Sequence, residues 1–233
     1  MINRYLRAVG TAFCVVAVTA ACGSGASKEE AGPAESEQAQ ELRSALLTDV
    51  DLASYRRQDV RAGTLDSLGF TQVFGQLRKL KTDKPQCLKG YLGGVSGPAL
   101  DGLQQAPAAM AVFRGTQRGS FGQIILSLPA EKAAAALDQP FPDKCSKITA
   151  TLPDGRKMTL KTREIDVAPL GEGARAFRGT VTVGGGQTVI MSETIRSGGV
   201  VQNIQMQGAD KKTLEKLAKQ AHQKVSEDLA DLA

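Results

Sequence analysis

Tryptophan is absent from this 233-residue chain, and aromatic residues make up only 4% of it. Sugar-stacking platforms and aromatic cages for cations are built from clusters of such rings, so both kinds of site lose ground. Histidine is almost as scarce: His222 is the single one. Zinc hydrolase centres of the His-rich kind need several imidazoles and are excluded. A Ser-His-Asp triad could use only His222. No serine stands in a Gly-x-Ser-x-Gly elbow and no Ser-x-x-Lys occurs, so the common serine hydrolase signatures are missing. A large excess of one charge is also lacking, with 29 basic residues against 24 acidic ones. That balance does not argue for nucleic acid, which calls for a clustered basic face. No internal repeat is visible.

What is present begins at the N-terminus. Arg4 and Arg7 precede an unbroken small and apolar stretch from Ala8 to Ala21. A charged start, an apolar run of this length and small residues before a cut site make an export signal. The run is shorter than the roughly 20 apolar residues needed to span a bilayer. Ala20-Ala21-Cys22-Gly23 resembles the bacterial lipobox, whose cysteine receives diacylglycerol and palmitate chains and becomes the first mature residue; Thr19 stands where that pattern most often has leucine. The expected organisation is a lipoprotein signal peptide over residues 1–21, a lipidated Cys22 with a flexible tether over 22–38, and one domain over 39–233. A cleaved secreted protein and an uncleaved anchor are the competing readings. Cys14 would be discarded with the leader.

The leader holds two of the 29 basic residues and none of the 24 acidic ones, leaving 27 against 24, a net charge of +3. The densest basic stretch, Arg78 to Lys84, reads as a solvated loop or helix face, with contact to an anionic surface as the lesser alternative. Gly23 to Gln38 carries no large apolar residue and cannot order itself by burial. As a flexible coil it reaches roughly 20–25 Å, which frees the domain to meet partners without touching lipid. Cys87 and Cys145 are the two cysteines left after Cys22, and an even pair in an exported protein reads as a disulfide. A reactive thiol is the alternative, but it lacks a nearby histidine. The bridge would stabilise the fold by about 4 kcal/mol in the loop-entropy model.

Periodicity sketches the rest. Leu42, Ala45 and Leu46 have helical spacing within Glu41–Leu47. Asp49 and Asp51 read as caps rather than metal ligands. Residues 57–86 hold one strand and a loop, with Phe70, Val73 and Phe74 suggesting a short helix or a lid over a ligand cleft. Ala111–Arg114 and Phe121–Leu128 flank a turn and predict a hairpin. Pro129 opens a helix over Ala130–Asp138, which Pro140 and Pro142 prevent from continuing. A meander follows: Lys147–Leu152, Lys157–Val167, Ala174–Val183, Thr188–Arg196 and Val200–Met206, with turns at Pro153-Asp154-Gly155, Gly184-Gly185-Gly186 and Ser197-Gly198-Gly199. Within the second of these strands the apolar parity switches between Leu160 and Ile165, which predicts a bulge or bend near Arg163-Glu164. An amphipathic helix over Lys211–Leu229 closes the chain, capped by Asp210. The class is α+β, a mostly antiparallel sheet of six or seven strands flanked by helices, with the C-terminal helix packed on it. Gly171-Glu172-Gly173-Ala174-Arg175-Ala176 mimics a dinucleotide fingerprint, but it leads into a strand where that motif needs a helix.

Ala45-Leu46-Leu47-Thr48-Asp49-Val50-Asp51-Leu52, then a cysteine, a hairpin, a helix and a second cysteine, then Pro169-Leu170-Gly171 ahead of Ala174-Arg175-Ala176-Phe177-Arg178, resembles a large actinobacterial group of exported lipoproteins. That group is similar to the extracellular sensor domain of PknH-type serine/threonine kinases. The kinase domain has two disulfides where this one can form a single bridge, and the stretch between Tyr55 and Cys87 looks expanded. The resemblance implies an antiparallel sheet flanked by helices, with a groove for an unidentified ligand, and supplies no catalytic residues. The expectation is a non-catalytic ligand-binding or sensor-like domain held at the outer face of the cytoplasmic membrane, with no cofactor, no metal and no nucleic acid. Its partners would be the membrane through the lipid anchor, a small-molecule or lipid ligand, and another envelope protein. A lipid carrier with an apolar cavity is the first alternative, and an envelope hydrolase using an unfamiliar acid pair the second.

Overall fold

The structure, a computed structural model, describes residues 36–48, 55–88, 103–115, 119–138, 140–230 and 232. The leader, Cys22, the tether as far as residue 35 and the Asp49–Asp51 pair lie outside the described residues. The first helix, α1 (Glu37–Ser44), starts inside the expected tether. The Ser36 side chain accepts from the amide of Ala39 at 3.2 Å, with Glu37 in the first turn and Arg43 in the last. That cap and those charges suit the helix ends, so residues 36–38 fold with the helix.

Nine strands follow: β1 (Tyr55–Thr64), β2 (Lys81–Thr82), β3 (Pro107–Gly115), β4 (Ser120–Ser127), β5 (Lys147–Thr151), β6 (Lys157–Ile165), β7 (Gly173–Val183), β8 (Gly186–Ser197) and β9 (Val200–Gln207). They form one antiparallel sheet in the order β1-β3-β4-β9-β8-β7-β6-β5-β2. The class is therefore α+β as expected, but with nine strands in place of six or seven. The stretch expected to hold one strand and a loop supplies two strands, and they are the edges of the sheet. β1 spans ten residues with little apolar alternation and a register shift between Arg57 and Asp59, and β2 is two residues long. α2 (Phe70–Arg78) lies between them in sequence, and α3 (Pro85–Leu88) follows β2. The helix after the hairpin, α4, occupies Ala130–Asp138, and α5 runs from Lys211 to Asp228. Asp210 caps α5 by accepting from the amide of Thr213 at 2.8 Å.

Alternation assigns each strand residue to one of two faces. Face one carries α1 and α5. Leu42 of α1 and Leu46 just past its end, with Leu214, Leu217, Ala221 and Val225 of α5, join Phe113, Phe121, Ile125, Ile204 and Met206 in the largest apolar cluster. Phe113 and Phe121 stack with ring centroids 4.1 Å apart, and Tyr55 meets Phe121 edge-on at 5.2 Å. Burying several such side chains, each about 1.5–3 kcal/mol, is what holds both helices down. Face two is covered in two separate places. Leu65, Leu68, Leu103, Met110, Leu126 and Ala133 form one cluster over β3, β4 and the start of β9. Cys87, Cys145, Ile148 and Leu160 form the other, over β5 and β6.

The bulge expected near Arg163-Glu164 is not there, since β6 pairs with β7 without interruption from Met158 to Ile165. The parity switch has another cause. Met158 and Leu160 are buried on face two, whereas Ile165 packs into the face-one cluster. One continuously paired strand serves two cores, one at each end and on opposite sides.

Candidate functional site

The middle of the sheet is polar on both faces, where apolar residues would be the rule. On face two, one row across successive strands reads Met110, Ile124, Asn203, Thr194, Arg175. The next row reads Val112, Gly122, Gln205, Ser192, Phe177, Glu164. Both begin in apolar packing and become polar at β9 and β8. Thr194 is 0% exposed, Ser192 4% and Asn203 8%. Buried polar groups require partners, and here the Asn203 amide donates to the Thr194 hydroxyl at 2.8 Å and to the Glu193 carbonyl at 3.3 Å. The polar stretch lies between the two apolar clusters of face two.

Arg175 borders it. Its guanidinium makes a bidentate pair with Glu164, at 2.8 and 2.9 Å, and donates to the Leu137 carbonyl of α4 at 2.9 Å. It also sits 5.2 Å from the centroid of the Phe177 ring, which meets Phe141 edge-on at 5.6 Å. The pairing with Arg175 holds the Glu164 carboxyl below the usual carboxylate range. A guanidinium fixed by a carboxylate fork, a helix C-terminal carbonyl and an aromatic face is a rigid element.

On face one, Gln123, Glu193 and Gln202 interrupt the large apolar cluster, each 1% exposed. Gln123 and Glu193 flank Ile204 in one row, and Gln202 lies in the next. The Gln123 carbonyl oxygen accepts from the Leu47 amide at 2.8 Å. Its side-chain nitrogen, both carboxyl oxygens of Glu193 and both polar atoms of Gln202 are buried without a hydrogen-bond partner among the described residues. Burial raises the Glu193 carboxyl from its ordinary 4.5 to about 7; Glu215 pushes the same way and Lys211 opposes.

The structure joins Cys87 to Cys145, with Cα atoms 5.4 Å apart and a sequence separation of 58, beside Ile148 and Leu160 on face two. His222 lies on α5, half-buried and on the opposite side of the sheet from the Thr194 row. The glycines of the fingerprint mimic make a turn: Gly171 has φ +58° and its Cβ position is blocked by the Arg196 carbonyl, while Gly173 opens β7. Phe70 of α2 packs against the face-two cluster over β3 and β4. Sequence reasoning missed Ser192, Glu193, Thr194, Gln202 and Asn203. A polar residue in a strand ordinarily marks the solvent side, but β8 is buried without a break from Ile190 to Ile195. The one available signal was the length of β8 and β9 at the end of a meander, which places them centrally only once β9 is known to pair with β4.

No protein-family model and no curated protein matches the chain. Among solved structures, the fold is similar to that of the extracellular domain of PknH from Mycobacterium tuberculosis. The TM-score is 0.54 at 13% identity, over 83% of this chain and 96% of that one. A protein from Mycobacterium smegmatis described as an Rv0999 ortholog aligns with a TM-score of 0.41 at 11% identity, over 84% of this chain and 95% of that one. The resemblance to PknH-type extracellular domains thus holds at the level of the fold.

Proposed function

We propose that this chain is a lipid-anchored extracytoplasmic protein whose α+β domain binds a ligand without catalysis, as a sensor-like module. The observation that carries the reading is the polar stretch of β8 and β9 on face two, set between two apolar clusters and bordered by the fixed Arg175. Hydroxyls, carboxamides and one guanidinium can recognise a small polar molecule but do not assemble a nucleophile with a base. Supporting the location are the charged-then-apolar leader, the small residues before Cys22 and the fold likeness to an extracellular domain.

Two measurements test it. Radiolabelled palmitate should enter the wild-type chain and not the Cys22→Ser variant; equal labelling of both overturns the anchor. Native mass spectrometry of the protein purified from its own host should show a bound small molecule. That species should be lost, by tenfold or more in occupancy, on Thr194→Val together with Asn203→Leu, since each removed polar contact is worth about 1–3 kcal/mol. The double variant must still melt cooperatively. A retained acyl chain insensitive to these substitutions would favour a lipid carrier.

A further inference from the structure

Face one is covered over β3, β4, β9 and β8 by α1 and α5. Over β7, β6, β5 and β2 it presents Lys81, Lys147, Lys157, Lys161, Arg163 and Arg178, all exposed. Register puts them on one side: Lys81 and Lys157 both face Thr151, Lys147 faces Lys161, and Arg163 faces Arg178. Two like-charged pairs therefore sit directly opposite each other across neighbouring strands, an arrangement that costs stability. No hydrogen bond or ion pair relieves these six side chains among the described residues. The single acid in the four strands is Glu164, which lies on face two and holds Arg175. Asp154 holds Arg156, and Asp83 at the sheet edge accepts from the Thr149 amide. The spaces between the cations are filled by Thr149, Thr151, Thr159, Thr180 and Thr182.

We infer that this bare basic face is a docking surface for the anionic headgroups of a phospholipid bilayer. Charge complementarity supplies the attraction. The composition selects the occupant: stable protein interfaces centre on apolar and aromatic anchors and are poor in lysine, whereas this face offers lysine, arginine and threonine without a central anchor. A diffuse set of cations suits a fluid surface of phosphates, to which each basic residue adds its own attraction. Choosing a bilayer rests on the membrane-anchored reading above. The basic face favours a domain lying on the bilayer over one lifted away from it.

The test uses the chain from residue 22 with Cys22→Ser, so that no acyl group contributes; every described contact falls within residues 36–232 and is kept. Co-sedimentation with phosphatidylcholine vesicles, with and without phosphatidylglycerol, reads the partition coefficient. Binding should require phosphatidylglycerol and weaken with added salt. Replacing Lys157, Lys161, Arg163 and Arg178 by glutamine should lower it by about tenfold or more. An equal loss of charge on the face-two side, at Lys79, Arg114, Lys132 and Lys144, should lower it far less. Equal losses in the two variants, or no retention on anionic vesicles, overturns the inference. Because Cys22 is already removed, failure of palmitate labelling leaves this result independent.

Discussion

Glu193 concentrates the tension of the molecule in one side chain. It is 1% exposed, its oxygens have no hydrogen-bond partner among the described residues, and its carboxyl is raised to about 7. Below pH 4.5 the group is protonated in both states and pH has no leverage. Between there and about 7 the unfolded chain gives up the proton while the folded one keeps it, so stability falls as pH rises and levels off above. The total is about 3 kcal/mol. Urea titrations from pH 4 to 8 should show this decline in the wild type and a clearly shallower one in Glu193→Gln, and identical slopes would reject the assignment. From the sequence, an acid inside Met191-Ser192-Glu193-Thr194-Ile195 looks solvent-facing, because one strand alone does not reveal that both of its sides are covered.

Elements differ in how far they could be read from sequence. The helix over Ala130–Asp138 and the strands of the meander follow from proline, glycine and alternation, which act within a few residues. β1 and β2 do not, because their existence depends on partners far along the chain: β1 on β3, β2 on β5. The segment from β2 through α3 is fastened to the rest by the Cys87–Cys145 bridge. Replacing both cysteines by serine should cost about 4 kcal/mol, the loop-entropy value for this span. It should also increase amide exchange in β2 and β5 before other strands. A uniform loss of protection across the sheet would contradict a local role for the staple.

For the whole molecule, the decisive contact is β4 with β9, which splices the N-terminal hairpin to the C-terminal meander. Periodicity cannot show it, so the nine-strand order and the polar centre it creates stayed hidden while the fold class was legible. The same long-range logic sets the true beginning of the folded unit. α1 and the turn after it contribute Leu42 and Leu46, both essentially unexposed, to the cluster shared with α5. Losing a buried leucine costs about 2–5 kcal/mol, against a typical total of 5–15. A chain starting at residue 49 should therefore lose its cooperative thermal transition and aggregate, whereas one starting at residue 22 should melt in a single step. Equal melting of the two would show that α1 is dispensable.

An open sheet always has two borders with unspent backbone groups, ready to anneal to another copy. Here one border is β1, where Arg56, Arg57 and Arg61 accompany the slip between Arg57 and Asp59, and the other is β2, two residues long and carrying Lys81. Charge and a kink spoil the first template, and brevity spoils the second. Molecules crowded side by side would thus stay separate rather than zip into filaments.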